Sequence, residues 1–413
     1  MRKRRLTISR LTLTFSPTRL FVFHARVATA WLLAVVLGLA CDRTLAATLL
    51  VGPGASIARI ADAARLAQDG DTVEILPGEY RGDVAVWMQK RLTIRGIGAT
   101  PTLIADNQSA EGKAIWVFRD GDFTIENIAF TGTRVAHLNG AGIRFERGRM
   151  RIVRCRFTDN ENGILTGNDP NSELVVEDSE FSAAPTNRGP LKHLLYVGRI
   201  ARFTLSGSRF HHGFEGHLVK SRAGENFIRY NLLYDGEGGS AAYELEFPNG
   251  GLAYVVGNVI GQSNETSNPV LISYGAEGAP WPDSALYLSH NTLLSERTTG
   301  GWFLRIWTEK LPATLSVIAV NNLTVGLGIF SAGAPGEFAG NFPVLPLVLG
   351  DPATLDFTLA SNSLIVGTGV EPPFVRGRSL APDAEFNLPV GIRPIARPKA
   401  WTPGAFQTTD PRR

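Results

Sequence analysis

Short segments of alternating apolar and polar residues recur along the chain. Most end in a polar or small residue with a bulky one about three places later. They begin with Leu92–Gly96 and Phe123–Phe130 and run on through Met150–Phe157, Leu174–Phe181, Phe203–Phe210, Phe227–Tyr234, Tyr254–Gly261, Leu286–Leu294 and Val317–Val325. Aligned on the polar or small position, they give Gly96, Asn127, Arg154, Asp178, Gly207, Asn231, Asn258, Asn291 and Asn322, at intervals of 24–33 residues. The alternation has the period of a strand, and the three-and-four spacing of a helix is missing. A repeat of this length built from short strands and turns is one rung of a parallel β-helix. Five of the nine aligned positions are Asn, whose side chains can hydrogen-bond along a stack.

The N-terminal edge reads differently. Residues 56–68 carry Ile57, Ile60, Ala61, Ala64 and Ala67 on one face, with Ser56 as candidate N-cap and Gly70 after the end. Such a helix covers the open end of a solenoid. The segment 371–413 holds eight of the 24 prolines, which predicts an extended strap along the solenoid.

Composition narrows the class. The 413 residues are 44% hydrophobic and 19% charged, which excludes a disordered chain, a collagen and a polytopic membrane protein. Two cysteines exclude a disulfide framework, and Cys155 reads as a small core residue. Residues 1–47 combine Arg2, Lys3, Arg4 and Arg5 with the apolar run 31–40 and the small residues before Ala47, the order of a secretory signal. Cleavage near Ala47 predicts an exported protein with no transmembrane segment; a lipid anchor on Cys41 is the alternative. The net charge of +3 falls to −4 once the eight basic residues and one acidic residue of 1–47 are set aside. Neither nucleic acid nor nucleotide is an expected partner, since no basic face and no phosphate-binding loop is present. A monomer is expected.

Ala61-Asp-Ala-Ala, Gly70-Asp-Thr-Val73 and Pro77-Gly-Glu-Tyr80 resemble the opening of secreted right-handed parallel β-helix proteins of the pectate-lyase-like superfamily. The resemblance covers about residues 48–370, and Asp356–Leu359 through Gly367–Gly369 resembles the closing rung of that group. It implies an all-β, right-handed solenoid over 48–370 and lyases that use Lys and Arg on an outer sheet. It does not fix a substrate: the hydrolase and epimerase motifs of the group are absent, and Asn168-Asp-Pro-Asn171 lacks a His.

Candidate chemistry concentrates between 193 and 247. His193–Gly198 and His217–Arg222 repeat 24 residues apart, and Tyr243–Phe247 follows. Alternation turns Val219 and Ser221 inward and Lys220 and Arg222 outward, because isolated buried charges are costly. The same rule turns Tyr243, Leu245 and Phe247 in, and Glu244 and Glu246 out. Adding 24 stacks Tyr196, Lys220 and Glu244 in one column, with Gly198, Arg222 and Glu246 beside it. The facing of His217 is left open.

Such a patch suits β-elimination or epimerisation on an acidic, uronate-containing polysaccharide. Lys220 would be the base and Arg222 the carboxylate clamp, with Tyr196, His217 or His193 passing a proton. Glu244 and Glu246 would contact substrate or hold Ca²⁺ through oxygen ligands. Tyr274, on the segment 274–278, would wall the groove, and Trp281, Trp302 and Trp307 are candidates for sugar stacking. The bland reading makes these residues cross-rung ion pairs worth under about 1 kcal/mol each. The rival functions are a non-catalytic polysaccharide-binding protein and a glycoside hydrolase using Glu244 and Glu246. His211, His212 and Glu215 add to the cluster without a zinc-ligand motif.

Overall fold

The computed structural model describes residues 46–409 other than 187, 188, 190 and 267, and residues 1–45 of the expected signal segment, Cys41 among them, lie outside them. The chain winds into a right-handed parallel β-helix of about ten turns. Each turn lays one short strand on each of three sheets. Among the described residues, sheet 1 has 12 strands from Thr48–Val51 to Glu337–Ala339, and sheet 2 has 11 from Glu79–Arg81 to Phe342–Val344. Sheet 3 has nine, from Ala85–Trp87 to Trp302–Ile306. Successive rungs pair in parallel, so each strand's backbone groups are satisfied by the rungs on either side.

The interior is dry and layered. On sheet 2, Phe130, Phe157, Phe181 and Phe210 stack with ring centroids 5.0, 4.6 and 4.5 Å apart. Cys155 lies in this core, 2% exposed, and burial pushes its thiol up to about 12.

The turn from sheet 1 to sheet 2 holds two adjacent columns, which the repeat alignment merges. Arg154, Asp178 and Gly207 have positive φ, and Gly207 stacks on Tyr230, then Gly257, His290 and Asn321. Asn127, at positive φ, stacks on Arg154 in this same column, while Asn231, Asn258, Asn291 and Asn322 occupy the next. Cys155 N donates to Ser179 Oγ, Ser179 N to Ser208 Oγ and Ser208 N to Asn231 Oδ1. From there each Asn backbone N–H donates to the following Asn Oδ1 at 3.0 Å, through Asn258, Asn291, Asn322 and Asn341. The sequence alignment slips by one residue at Gly207, because that rung returns after 23 residues rather than 24.

Helix α1 spans Ile60–Leu66, shorter than the expected 56–68, and Ser56 is not its cap. The side chain of Asp83, one rung on, accepts from Ile60 N and Ala61 N at 2.6 and 3.0 Å. Gln89 Nε2 donates to Ala64 O and Ala67 O, both at 2.9 Å, which ties the helix end to the first strand of sheet 3. Residues 356–369 add no strand to the three sheets; the last rung is Glu337–Ala339 with Phe342–Val344. Past 370 the chain packs on sheet 1 through Val375, Leu380 and Ala384 and on sheet 2 through Phe386 and Ala405. Tyr230 Oη donates to Asp383, Arg376 pairs with Asp283, and Trp401 packs on His290 at 5.1 Å. Two short antiparallel pairs form there, Phe374–Val375 with Arg378–Ser379 and Ala384–Phe386 with Ile392–Pro394. Among the described residues no helix is long and apolar enough to cross a membrane.

Candidate functional site

The outer face of sheet 3 carries the site. Its rungs His193–Val197, His217–Ser221 and Tyr243–Phe247 are five residues each. Leu195, Val197, Val219, Leu245 and Phe247 fill the core. Lys220 faces out, stacked between Tyr196 and Glu246. The outward column is Val86, Val117, Arg144, Leu165, Tyr196, Lys220, Glu246, Ser273 and Arg305.

Glu246, rather than Glu244, is thus the residue beside Lys220, since this turn takes 26 residues to return. Glu244 falls between the pairs His217–Tyr243 and Val219–Leu245, next to Leu218. That position points inward along the whole sheet. A Cβ on Gly163, its counterpart on an earlier rung, would sit 2.7 Å from the Phe181 ring, and Leu194, Leu218 and Leu271 occupy it elsewhere. Alternation breaks at the start of each rung, so two successive residues face the core. Glu244 is therefore fully buried, and neither of its carboxylate oxygens has a partner. Burial first, and the nearby Asp235 charge second, push it well above the usual carboxylate range. The expectations that Glu244 contacts substrate, shares a metal with Glu246 or forms a hydrolase pair with it are corrected by this orientation. Tyr243 also departs from expectation: its ring meets His217 edge-on at 4.9 Å on the outer side.

His217 faces outward as well, packed between His193 and Tyr243. Its Nδ1 lies 3.1 Å from Glu246 Oε2, and Lys220 Nζ lies 3.1 Å from the same oxygen. Burial alone would raise Glu246, but His217 and Lys220 together hold it below the usual carboxylate range. Burial lowers His217 below the usual imidazole range, with Glu246 opposing. His193 is also buried and depressed by desolvation; its Nδ1 accepts from His217 N at 3.1 Å. It supports the rung and is largely withdrawn from the groove.

Arg222 is the hub. Its Nε donates to Tyr196 Oη at 2.8 Å, and its two Nη atoms hold Glu277 in a fork at 2.6 and 2.8 Å. Asn249 Oδ1 accepts from Nη1 at 2.9 Å. Burial opposes its charge, but Glu277 and Tyr196 outweigh that and keep it firmly protonated. Arg222 in turn draws Glu277 below the usual carboxylate range. Glu277 also stands 3.7 Å from Lys220 Nζ and is nearly half exposed on its turn.

Sequence reasoning missed Glu277 and Asn249, which come from turns with no fixed place in the repeat. The segment 274–278 does wall the groove, but through Glu277. The Tyr274 side chain points into the core, 0% exposed, with Oη donating to Gly251 O at 2.5 Å, because it occupies the inward column of Phe247. This corrects its assignment as a substrate contact. Trp281 Nε1 donates to Arg222 O at 2.9 Å and its ring lies under Arg199, so it buttresses the turn. Trp302 and Trp307 flank Arg305 at 5.1 and 4.8 Å at the far end of the column. His211 and His212 lie elsewhere, at the end of a sheet 2 strand, with His211 Nε2 3.1 Å from Glu180.

Among the described residues no group of three His, Cys, Asp or Glu side chains is arranged to hold a metal ion. Glu244 and Glu246 do not fit Ca²⁺ as a pair: one is sealed in the core, and an oxygen of the other is engaged by His217 and Lys220.

Comparison with known proteins bears on the fold alone. No protein-family model and no curated relative matches the sequence. Among solved structures, pectate lyase Pel9A superimposes with a TM-score of 0.55 at 12% identity, covering 87% of this chain and 96% of that one. A protein described as ORF18 of Geobacillus virus E2 gives a TM-score of 0.37 at 12% identity over 67% of this chain and 53% of its own. The chain has the pectate-lyase-like parallel β-helix fold.

Proposed function

We propose that the outer face of sheet 3 acts on an acidic, uronate-containing polysaccharide outside the cytoplasm, by β-elimination or the related C5 epimerisation. The observation that carries this reading is the fork of Arg222 closed on the carboxylate of Glu277, within reach of Lys220 and Tyr196. A guanidinium that holds one carboxylate bidentately suits another of the same geometry. Glu277 sits on an exposed turn, so a uronate carboxylate can take its place.

In elimination, a base removes the proton on C5, the C4–O4 bond breaks, a C4=C5 double bond forms, and the leaving oxygen takes a proton. Arg222 would stabilise the charge that develops on the substrate carboxylate. Lys220, in its neutral form, would accept the C5 proton, with Glu246 receiving the resulting ammonium. Tyr196 Oη already accepts from Arg222 Nε, which leaves its own proton free for the leaving oxygen. His217 acts through Glu246 as a positioning residue. Pel9A, named as a pectate lyase, supports the class of substrate by fold alone.

Replacing Lys220 with Ala is expected to lower turnover at least about 100-fold with far-ultraviolet circular dichroism unchanged. Turnover at the native rate would contradict Lys220 as base. One observation favours a second reading, carbohydrate binding without turnover: both cations already have carboxylate partners. Retained polysaccharide binding with no product from the wild-type protein would select it.

A further inference from the structure

The outward column of sheet 3 does not end at Lys220. Three rungs toward the N-terminus it reaches Arg144, roughly 14 Å away at the spacing of adjacent strands. A cleft of about 660 Å³ opens there, where the rungs leave sheet 3 for sheet 1. Lys90, Lys113, Arg119 and Arg147 line it.

The charges in this cleft do not balance. Lys113 Nζ meets Glu146 at 2.9 Å and Glu111 at 3.3 Å, and Arg144 shares Glu146 at 3.2 Å. Arg119 also pairs with Glu111. Lys90 and Arg147 share Asp120 at 2.7 and 3.5 Å. Five cations are thus served by three carboxylates, and the Arg144 Nε is buried without a hydrogen-bond partner. At Lys220 and Arg222, by contrast, two cations face two carboxylates. The N-terminal cleft therefore carries an excess of positive charge that the surroundings of Lys220 and Arg222 do not.

We infer that this cleft is a second anion-binding subsite, and that one polyuronate chain lies along the solenoid axis with carboxylates in both places. The inference rests on the reading of Lys220 and Arg222 above. A carbohydrate polymer fits better than a nucleic acid: Tyr196 and Leu165 bridge the two places along the column, and the mature chain is net acidic. The role of the N-terminal cleft is affinity for long chains; a ligand too short to span three rungs would be held at Arg222 alone.

The test is calorimetric titration of the full-length protein with polygalacturonate, and separately with digalacturonate, at two salt concentrations. The double variant Lys90→Glu/Arg147→Glu alters two largely exposed side chains. It is expected to bind polygalacturonate at least about tenfold more weakly, with a flatter salt dependence, and to bind digalacturonate as the wild type does. Unchanged affinity for the polymer would overturn the inference. So would a short DNA duplex bound as tightly by the wild type, since phosphate attraction alone would then suffice. Arg222→Ala separates the two claims. If it binds digalacturonate normally while the double variant loses the polymer, the cleft stands and the reading of Arg222 as the carboxylate clamp falls.

Discussion

Glu244 shows how little separates a site residue from a core residue in this fold. It is two positions from Glu246, yet it occupies a column otherwise filled by Leu194, Leu218 and Leu271. A buried carboxylate with no partner destabilises the folded state whether it is protonated or not. Because burial raises its folded pKa above the ordinary value of 4.5, its cost is smallest below that pH, grows as pH rises from there toward the folded value and levels off above it. Glu244→Leu is expected to stabilise the protein by about 1–3 kcal/mol at pH 7. In chemical unfolding followed from pH 4 to 8, the gain over wild type should widen with pH. A variant less stable than wild type at pH 7 would mean that the carboxylate has a partner.

The facing of Tyr196, Lys220, Arg222 and Glu246 was legible in the sequence, because charge and strand alternation agree there. The facing of Glu244 was not. Alternation presumes a regular strand, and in these rungs the second and third residues both face inward. The fixed step of 24 also fails because the connection 235–242 ahead of Tyr243 is longer than its counterpart 212–216. Glu277 falls in the segment expected to wall the groove, but nothing in the sequence pairs it with Arg222. It reaches Arg222 across 55 residues from a turn whose length is free to vary.

At the scale of the element, the Asn column adds a continuous side-chain link between rungs. Asn291 Oδ1 accepts from both the backbone and side-chain nitrogens of Asn258, and its Nδ2 donates to Val255 O and Asn322 Oδ1. Asn291→Ala leaves several of these buried groups unpaired, each worth about 1–3 kcal/mol. The variant should lose roughly 3 kcal/mol or more in chemical denaturation, and Asn341→Ala, at the end of the ladder, should lose less. Equal losses would show that the ladder is not cooperative along the stack. The repeat announced this ladder through its Asn residues. Its first members, Ser179 and Ser208, do the same work with a hydroxyl and so escaped the alignment.

At the scale of the molecule, the solenoid supplies a long flat face and the additions protect the rest. Helix α1 is tied to the first strand of sheet 3. The segment after 370 lies on sheets 1 and 2 and meets the turn between them at Tyr230 and His290, two bulky residues at positive φ. A left-handed conformation is costly for such side chains. Their contacts with Asp383 and Trp401 help hold that geometry, while sheet 3, with Lys220 and Arg222, is untouched by these contacts.

The most direct test of the account is ultraviolet absorbance during incubation of the protein with a panel of uronate polysaccharides, with and without Ca²⁺. The unsaturated ring formed when C4–O4 breaks absorbs there. The account predicts a rise on at least one polyuronate that Lys220→Ala abolishes. New reducing ends without that absorbance would contradict it, because hydrolysis would then be the chemistry and Lys220 only the ion-pair partner of Glu246.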